Sequence, residues 1–339
     1  MYYKEEIQIQ NKNKMDMILK SENVPQFIQF YFKDLASGVS RLTYWGTIKK
    51  ALSWLIDKQY LKSHTISEIT PNDLQTICDG HIIEYFEYLM ESENIKVSSI
   101  QTKKNQLSSF WEYLYLHHYC RDNIIRFIKS KQFVPAKTNQ KKVEKLPIMV
   151  DIQKMLKNIN EQTDEFIKVR NNAIVRVLRG TGLRVSELAG LNLQDIYIDD
   201  IYIDERHPAP YIRVISKGNY QFDEDGEDIV YLTPDVVDAI KEWQKYRYKN
   251  NISVIDTEAL FISKTGNRMT PDVIKNFFHT YSDGKITPHM FRHEYTTRLR
   301  QAGGDSTFVK EQGRWKSTAM MDNVYDSAAG RSVQILKSM

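Results

Sequence analysis

The sequence predicts a mostly α-helical protein with one small antiparallel sheet, arranged as an N-terminal helical bundle followed by a C-terminal α+β domain. Three observations carry that prediction. Apolar residues recur at three- and four-residue spacing almost throughout residues 25–133. The period then switches from 3.6 to 2 in three short runs between Asp195 and Leu232, each rich in β-branched and aromatic residues. Finally, 339 residues exceed one average domain, so two cores are expected, each large enough to bury its own apolar set.

In chain order, residues 1–24 are polar and read as an N-terminal tail or a leading helix. Helical repeats follow in Phe27, Phe30 and Tyr31, in Ile48, Leu52, Leu55 and Ile56, in Ile82, Tyr85, Phe86 and Leu89, and in Leu107, Phe110, Trp111 and Leu114. Breaks fall at Ser37-Gly38, Thr70-Pro71 and Glu93-Asn94, and Thr70-Pro71-x-Asp73 reads as a capped helix start. Polar and basic residues gather at helix starts: Arg41, Thr43, Tyr44, Lys49 and Lys50, then Ser98, Ser99, Gln101, Thr102, Lys103 and Lys104. Such starts suit phosphate contact, because main-chain N–H and ammonium groups converge there; they also suit an ordinary solvated helix face. From Lys129 to Lys145 periodicity is lost among lysines and Pro135, and residues 134–145 read as a linker, placing the second domain at 146–339.

The second domain opens with a helix over about Ile152–Asn160 and an apolar helix around Ala173–Leu178, followed by RGTGLRVSELAGLNLQDI. Gly180-x-Gly182 is not a nucleotide loop, since the third glycine is missing and a helix precedes it. Arg184 starts a new helix whose inward residues are Leu188 and Leu191. The three strands are expected at Asp195–Asp199, Tyr211–Ile215 and Asp228–Leu232, with Lys217-Gly218 in the turn after the second. The loop QFDEDGED is longer and more acidic than a tight hairpin needs, and the sequence offers no function for it. A helix over Pro234–Lys249, a turn at Gly266-Asn267 and a helix from Thr270-Pro271 to about Tyr281 complete the frame.

The stretch from Ile286 to Tyr325 carries the densest chemistry. Thr287 and Pro288 suit an N-cap and first helical position, and the pair at Gly303 supplies a left-handed stop. At about 100° per residue, His289, Arg292 and His293 share one helix face while Phe291, Tyr295 and Ala302 share the other. A Gly313-Arg314-Trp315 turn then leads to Tyr325, the one tyrosine after Tyr295. An imidazole, a guanidinium, an indole N–H and a phenol together suit binding and attack on a phosphodiester; a polar helix face beside a core tyrosine is the simpler reading.

Thr181-Gly182-Leu183-Arg184-x-Ser186-Glu187-Leu188-x-x-Leu191 resembles the first conserved box of the phage-integrase-type tyrosine recombinases, and His289-x-x-Arg292, the Gly-Arg-Trp turn and Tyr325 resemble the second. The resemblance implies that the C-terminal half is a tyrosine-recombinase catalytic domain, and the layout of the N-terminal bundle resembles the core-binding domain. It implies Tyr325 as nucleophile, Arg184 and Arg292 on the non-bridging phosphate oxygens, Lys217 as general acid, His289 as base or phosphate donor, and Trp315 as indole donor. Glu187 is expected to buttress the site. Trp315 stands ten residues before Tyr325, one more than the family's usual spacing, so either a residue is inserted or Arg314 fills that role. No cofactor and no metal are implied. The implied partners are double-stranded DNA with inverted-repeat-like sites and further copies of the chain, forming a homotetramer in the synaptic complex. Residues 326–339, with Val333, Ile335 and Leu336, suit the tail that in this family packs into a neighbouring protomer.

Composition is compatible. A net charge of +4 permits nucleic acid as a partner without arguing for it. The two cysteines, Cys78 and Cys120, have no metal-like spacing, no stretch approaches 18 apolar residues and the start has no signal-like core, so a cytoplasmic protein away from membranes is expected. The function expected is that of a site-specific recombinase, integrase or transposase type, acting in DNA recombination, integration or transposition of a mobile element. Two alternatives come from other classes. One is a DNA-binding accessory protein without catalysis. The other is a metal-dependent hydrolase built on His289, His293 and His279, although Met290 stands where that motif needs its general-base Glu.

Overall fold

The computed structural model describes residues 3–128 except 36, and residues 149–214, 228–249 and 254–315. The chain divides into two compact units, Met1–Gln140 and Lys141–Met339.

The first unit is a helical bundle. Its helices are α1 (Tyr3–Ser21), α2 (Gln26–Asp34), α3 (Gly38–Asp57), the single turn α4 (Pro71–Leu74), α5 (Asp79–Glu91) and α6 (Val97–Leu116). Helix α3 packs against α1, α5 and α6. Residues 3–21 therefore belong to the bundle, and α1 sends Met15 and Leu19 into its core. Tyr85, Phe86, Phe110 and Trp111 are at most 1% exposed, and full burial of an aromatic of this size contributes about 1.5–3 kcal/mol. Thr70 caps α4 as its sequence predicts, exchanging bonds with Asp73 at 2.8 Å and 3.4 Å.

The basic helix starts behave differently from one another. Arg41 is buried, its Nε donating to the Leu35 carbonyl at 2.9 Å and its Nη2 to the Lys33 carbonyl at 3.0 Å. It satisfies the orphan carbonyls at the end of α2 and is withdrawn from any phosphate. Lys49 pairs with Glu22 at 2.7 Å, Lys50 pairs with Glu93, and Lys104 donates to the Ile128 carbonyl.

The second unit surrounds a three-stranded sheet with helices. Helices α7 (Met149–Asn160), α8 (Glu165–Thr181) and α9 (Val185–Gly190) precede strands β1 (Ile196–Tyr197), β2 (Tyr211–Val214) and β3 (Asp228–Tyr231). Helices α10 (Pro234–Lys249), α11 (Pro271–Tyr281), α12 (Pro288–Gln301) and α13 (Ser306–Gly313) follow. The strands pair antiparallel in the order β1-β2-β3, with Ile196 opposite Ile212 and Ile212 opposite Val230. That register puts one apolar residue from each strand in a single buried row, which pins it against slipping. Helix α8 runs through the middle, packed on α7, α10 and α12. It spans more than the apolar run suggests because Asp164 caps its start, accepting from the Ile167 N–H at 3.2 Å, and Gly182 stops it in the left-handed region at φ 61°. Among the described residues, no helix is long and apolar enough to cross a membrane.

Candidate active site

The site grows from two chain reversals that meet. The first is the end of α8. Gly182 caps that helix by donating its N–H to the Leu178 carbonyl at 3.0 Å, and its Cα lies so close to α12 that an added Cβ would sit 2.5 Å from the Tyr295 ring. The chain then turns through Leu183 to Arg184, the N-cap of α9. The second reversal is the end of α13, where Arg314 adopts left-handed angles, φ 50° and ψ 50°, and its N–H bonds the Glu311 carbonyl at 2.9 Å.

Between them lies Glu187, 4% exposed at its side chain, on the first turn of α9. Its Oε1 accepts from Arg184 Nη1 at 2.6 Å, and its Oε2 accepts from the Arg184 main-chain N–H at 2.8 Å and from Arg314 Nη2 at 3.2 Å. Arg292 Nη1 stands 4.0 Å from the same Oε2. One carboxylate thus serves three guanidiniums. Burial pushes its pKa up, but the fields of Arg314, Arg292 and Arg184, with the Arg184 N–H, outweigh that and leave it below the ordinary glutamate value. The carboxylate stays ionised at neutral pH.

Arg292 is fixed from α12. Its Nη1 donates to the Gly182 carbonyl at 2.8 Å, its Nη2 donates to the Gly313 carbonyl, and the Trp315 ring lies over it with 4.8 Å from Cζ to centroid. Arg184 keeps 31% of its side chain exposed, whereas Arg292 and Arg314 keep 1% and 2%. His289 and His293 sit one turn apart on α12 with ring centroids 4.2 Å apart and planes at 76°. His289 has an exposed edge, yet desolvation and the charges of Arg292 and Arg184 hold its imidazole below the usual histidine value. His293 is buried, and desolvation, His289 and Arg292 push it down to about 4. Both rings are neutral near pH 7, so His289 is competent to accept a proton there.

Of the six positions singled out in the sequence, Arg184, His289, Arg292 and Trp315 come together here, while Lys217 and Tyr325 lie outside the described residues. The shared face of α12 is less open than its spacing suggests: His293 is buried, and Arg292 is buried with its guanidinium taken up by the carbonyls of Gly182 and Gly313. His279 is placed elsewhere, against Gly284, and no group of three or more His, Cys, Asp or Glu side chains is set to hold a metal ion among the described residues. Sequence reasoning offered Arg314 only as a substitute for Trp315, and gave no role to the Gly182 carbonyl that takes hydrogen bonds from Arg292 and Arg314.

Residues 150–330, more than half of the chain and including both reversals, match the Phage integrase family. The chain belongs to that family. At family level this means tyrosine-recombinase-type site-specific DNA recombination. The chain is similar to the tyrosine recombinase XerC of Psychromonas ingrahamii, at 26% identity over 69% of this chain and 72% of that protein. It is also similar to the XerC of Natranaerobius thermophilus, at 27% identity over 68% and 72% of the two. Among solved structures, it shares the fold of the Tn1549 transposon integrase (residues 82–397) in complex with circular intermediate DNA, with a TM-score of 0.61, 18% identity and coverage of 90% of this chain and 98% of that one. It likewise shares the fold of the XerH site-specific recombinase bound to a palindromic difH substrate, with a TM-score of 0.59, 17% identity and coverage of 90% and 81%.

Proposed function

We propose that the protein is a site-specific DNA recombinase of the integrase or transposase type, which cleaves and rejoins duplex DNA through a 3′-phosphotyrosyl intermediate. The observation that carries this reading is that Arg184, Arg292 and His289 share one electrostatic environment: the imidazole feels both guanidiniums, and both guanidiniums lie within ion-pair reach of Glu187. A planar guanidinium fork suits the non-bridging oxygens of a phosphodiester, and a neutral imidazole beside it suits proton transfer.

In the reaction, the Tyr325 hydroxyl oxygen attacks phosphorus and gives its proton to His289. The bond from phosphorus to the 5′ oxygen breaks, Lys217 donates a proton to that oxygen, and a free 5′-hydroxyl departs. Arg184 and Arg292 hold the charge that builds on the phosphoryl oxygens. Trp315 steadies Arg292 through its ring face and offers its indole N–H to the same phosphate. Attack by a 5′-hydroxyl from the partner duplex reverses the steps and rejoins the strands, so no nucleotide or metal is consumed. The bundle of the first unit serves as the core-binding domain, residues 134–145 as the linker, and residues 146–339 as the catalytic domain. Double-stranded DNA with inverted-repeat-like sites is the substrate, two such sites are bridged by a homotetramer, and the work is done in the cytoplasm.

The test is strand transfer on duplexes drawn from the DNA flanking the protein's own gene, each nicked near the candidate site. Cleavage and exchange that persist in chelator and vanish in Arg184→Ala support the reading. Tight, salt-sensitive binding at a defined site with no strand cleavage would leave an accessory DNA-binding protein instead.

A further inference from the structure

We infer that Arg314 is a positioning residue of this reaction: it engages the inner oxygen of Glu187, so that Arg184 is held by one prong only and keeps its outer edge for the DNA phosphate. The inference rests on the phosphate-binding role proposed above for Arg184. A carboxylate and a guanidinium left to themselves favour a two-pronged fork. Here the fork is incomplete. Glu187 Oε1 takes Arg184 Nη1 at 2.6 Å, but Oε2 is already occupied by the Arg184 main-chain N–H at 2.8 Å and Arg314 Nη2 at 3.2 Å. Arg184 Nη2 turns instead toward the Arg314 carbonyl, at a long 3.5 Å.

Two further features of Arg314 fit the role. Its backbone is left-handed, a conformation that costs a residue with a Cβ and that directs this side chain back into the cluster. Its guanidinium is anchored on three sides, by the Gln312 carbonyl at 3.1 Å, the Gly182 carbonyl at 3.4 Å and Glu187. The Arg184 side chain keeps 31% exposed, whereas that of Arg314 keeps 2% and is committed to the Gln312 and Gly182 carbonyls and to Glu187. Arg314 therefore acts through Glu187 and Arg184, and not as a substitute for Trp315 on the phosphate.

The test compares Arg314→Gln and Arg314→Lys in the wild-type and Glu187→Gln backgrounds, reading single-turnover cleavage of a nicked duplex, equilibrium DNA affinity and thermal melting. Arg314→Gln is expected to slow cleavage by about 10–100-fold with less than about 3-fold loss of DNA affinity, with partial recovery in Arg314→Lys. In the Glu187→Gln background the same change is expected to cost under about 3-fold, because the group it acts through is gone. A loss of rate that only follows the melted fraction, or that is undiminished in the Glu187→Gln background, would overturn the inference while leaving the recombinase reading intact. If the wild-type protein itself cleaves nothing, the recombinase reading falls. The inference is then judged by the Arg184 side-chain Nε–H resonance, which moves in Arg314→Gln if Arg314 sets its pose and stays fixed if it does not.

Discussion

The guanidinium of Arg292 hangs on the carbonyl oxygen of Gly182, 2.8 Å from Nη1, across 110 positions of sequence. The left-handed turn that ends α8 therefore also sets the pose of an arginine on α12. Gly182→Ala would place a Cβ 2.5 Å from the Tyr295 ring, in backbone angles that cost a residue with a Cβ roughly 1–2 kcal/mol before any clash is counted. The expected outcome is a destabilised catalytic unit, with the melting temperature down by several degrees and cleavage falling further than folding, as checked by calorimetry beside a single-turnover assay.

The two histidines of α12 predict an acid-sensitive site. His293 has a folded pKa near 4, against about 6.5 when unfolded. The unfolded chain therefore binds the extra proton first, so stability is lost as pH falls from about 6.5 toward 4, by at most about 1.4 kcal/mol per pH unit for one proton. His293→Phe is expected to flatten that part of the profile in urea titrations taken at several pH values. Glu187 adds a second, lower window. Its pKa is depressed in the fold, so its contribution is complete above the ordinary glutamate value and lost as pH falls through the folded one. Cleavage should stay level across neutrality and fall on the acid side as His289 takes up a proton.

The ring face of Trp315 and its indole N–H can be separated by substitution. The face lies on Arg292 at 4.8 Å, a contact worth about 0.5–2 kcal/mol. Trp315→Phe keeps a face and removes the N–H, whereas Trp315→Ala removes both. The expected order of cleavage rates is wild type, then Phe, then Ala, with the step from Phe to Ala reporting the hold on Arg292. Equal rates for Phe and Ala would remove the stacking contact from the account.

Much of this was legible in the sequence, for identifiable reasons. Thr70, Pro71, Thr287 and Pro288 read correctly because caps and first turns depend on local chemistry alone. The three strands were legible because a period of 2 with β-branched residues has few other uses, although the first is shorter than expected, Ile196–Tyr197, since Asp195 closes a 3-10 turn before it. His289 and Arg292 are separated by one helical turn, so spacing placed that pair, whereas Arg184 and Glu187 were singled out by the resemblance of their box to the tyrosine recombinases. Arg314 could not be read this way. Its partner Glu187 lies 127 positions away, and the contact depends on left-handed angles in a residue that is not glycine. The burial of Arg41 was equally hidden, since a basic residue at a helix start looks the same whether it faces water or caps a neighbouring helix.

Arg41 gives a prediction for the first unit. Its two bonds to the carbonyls that end α2 are partly buried, and losing them should cost about 1–3 kcal/mol. Arg41→Ala is expected to lower stability in urea while leaving the salt dependence of DNA affinity unchanged in the folded protein. A slope reduced by about one unit would mean that Arg41 reaches a phosphate after all.

The most direct measurement is covalent capture. The protein is mixed with nicked duplexes from the DNA flanking its gene, denatured, and the adduct is mapped by peptide mass. The expected product is a DNA 3′-phosphate on Tyr325, absent in Tyr325→Phe and strongly reduced in Arg184→Ala. An adduct on another side chain, or cleaved DNA with no protein attached, would contradict it.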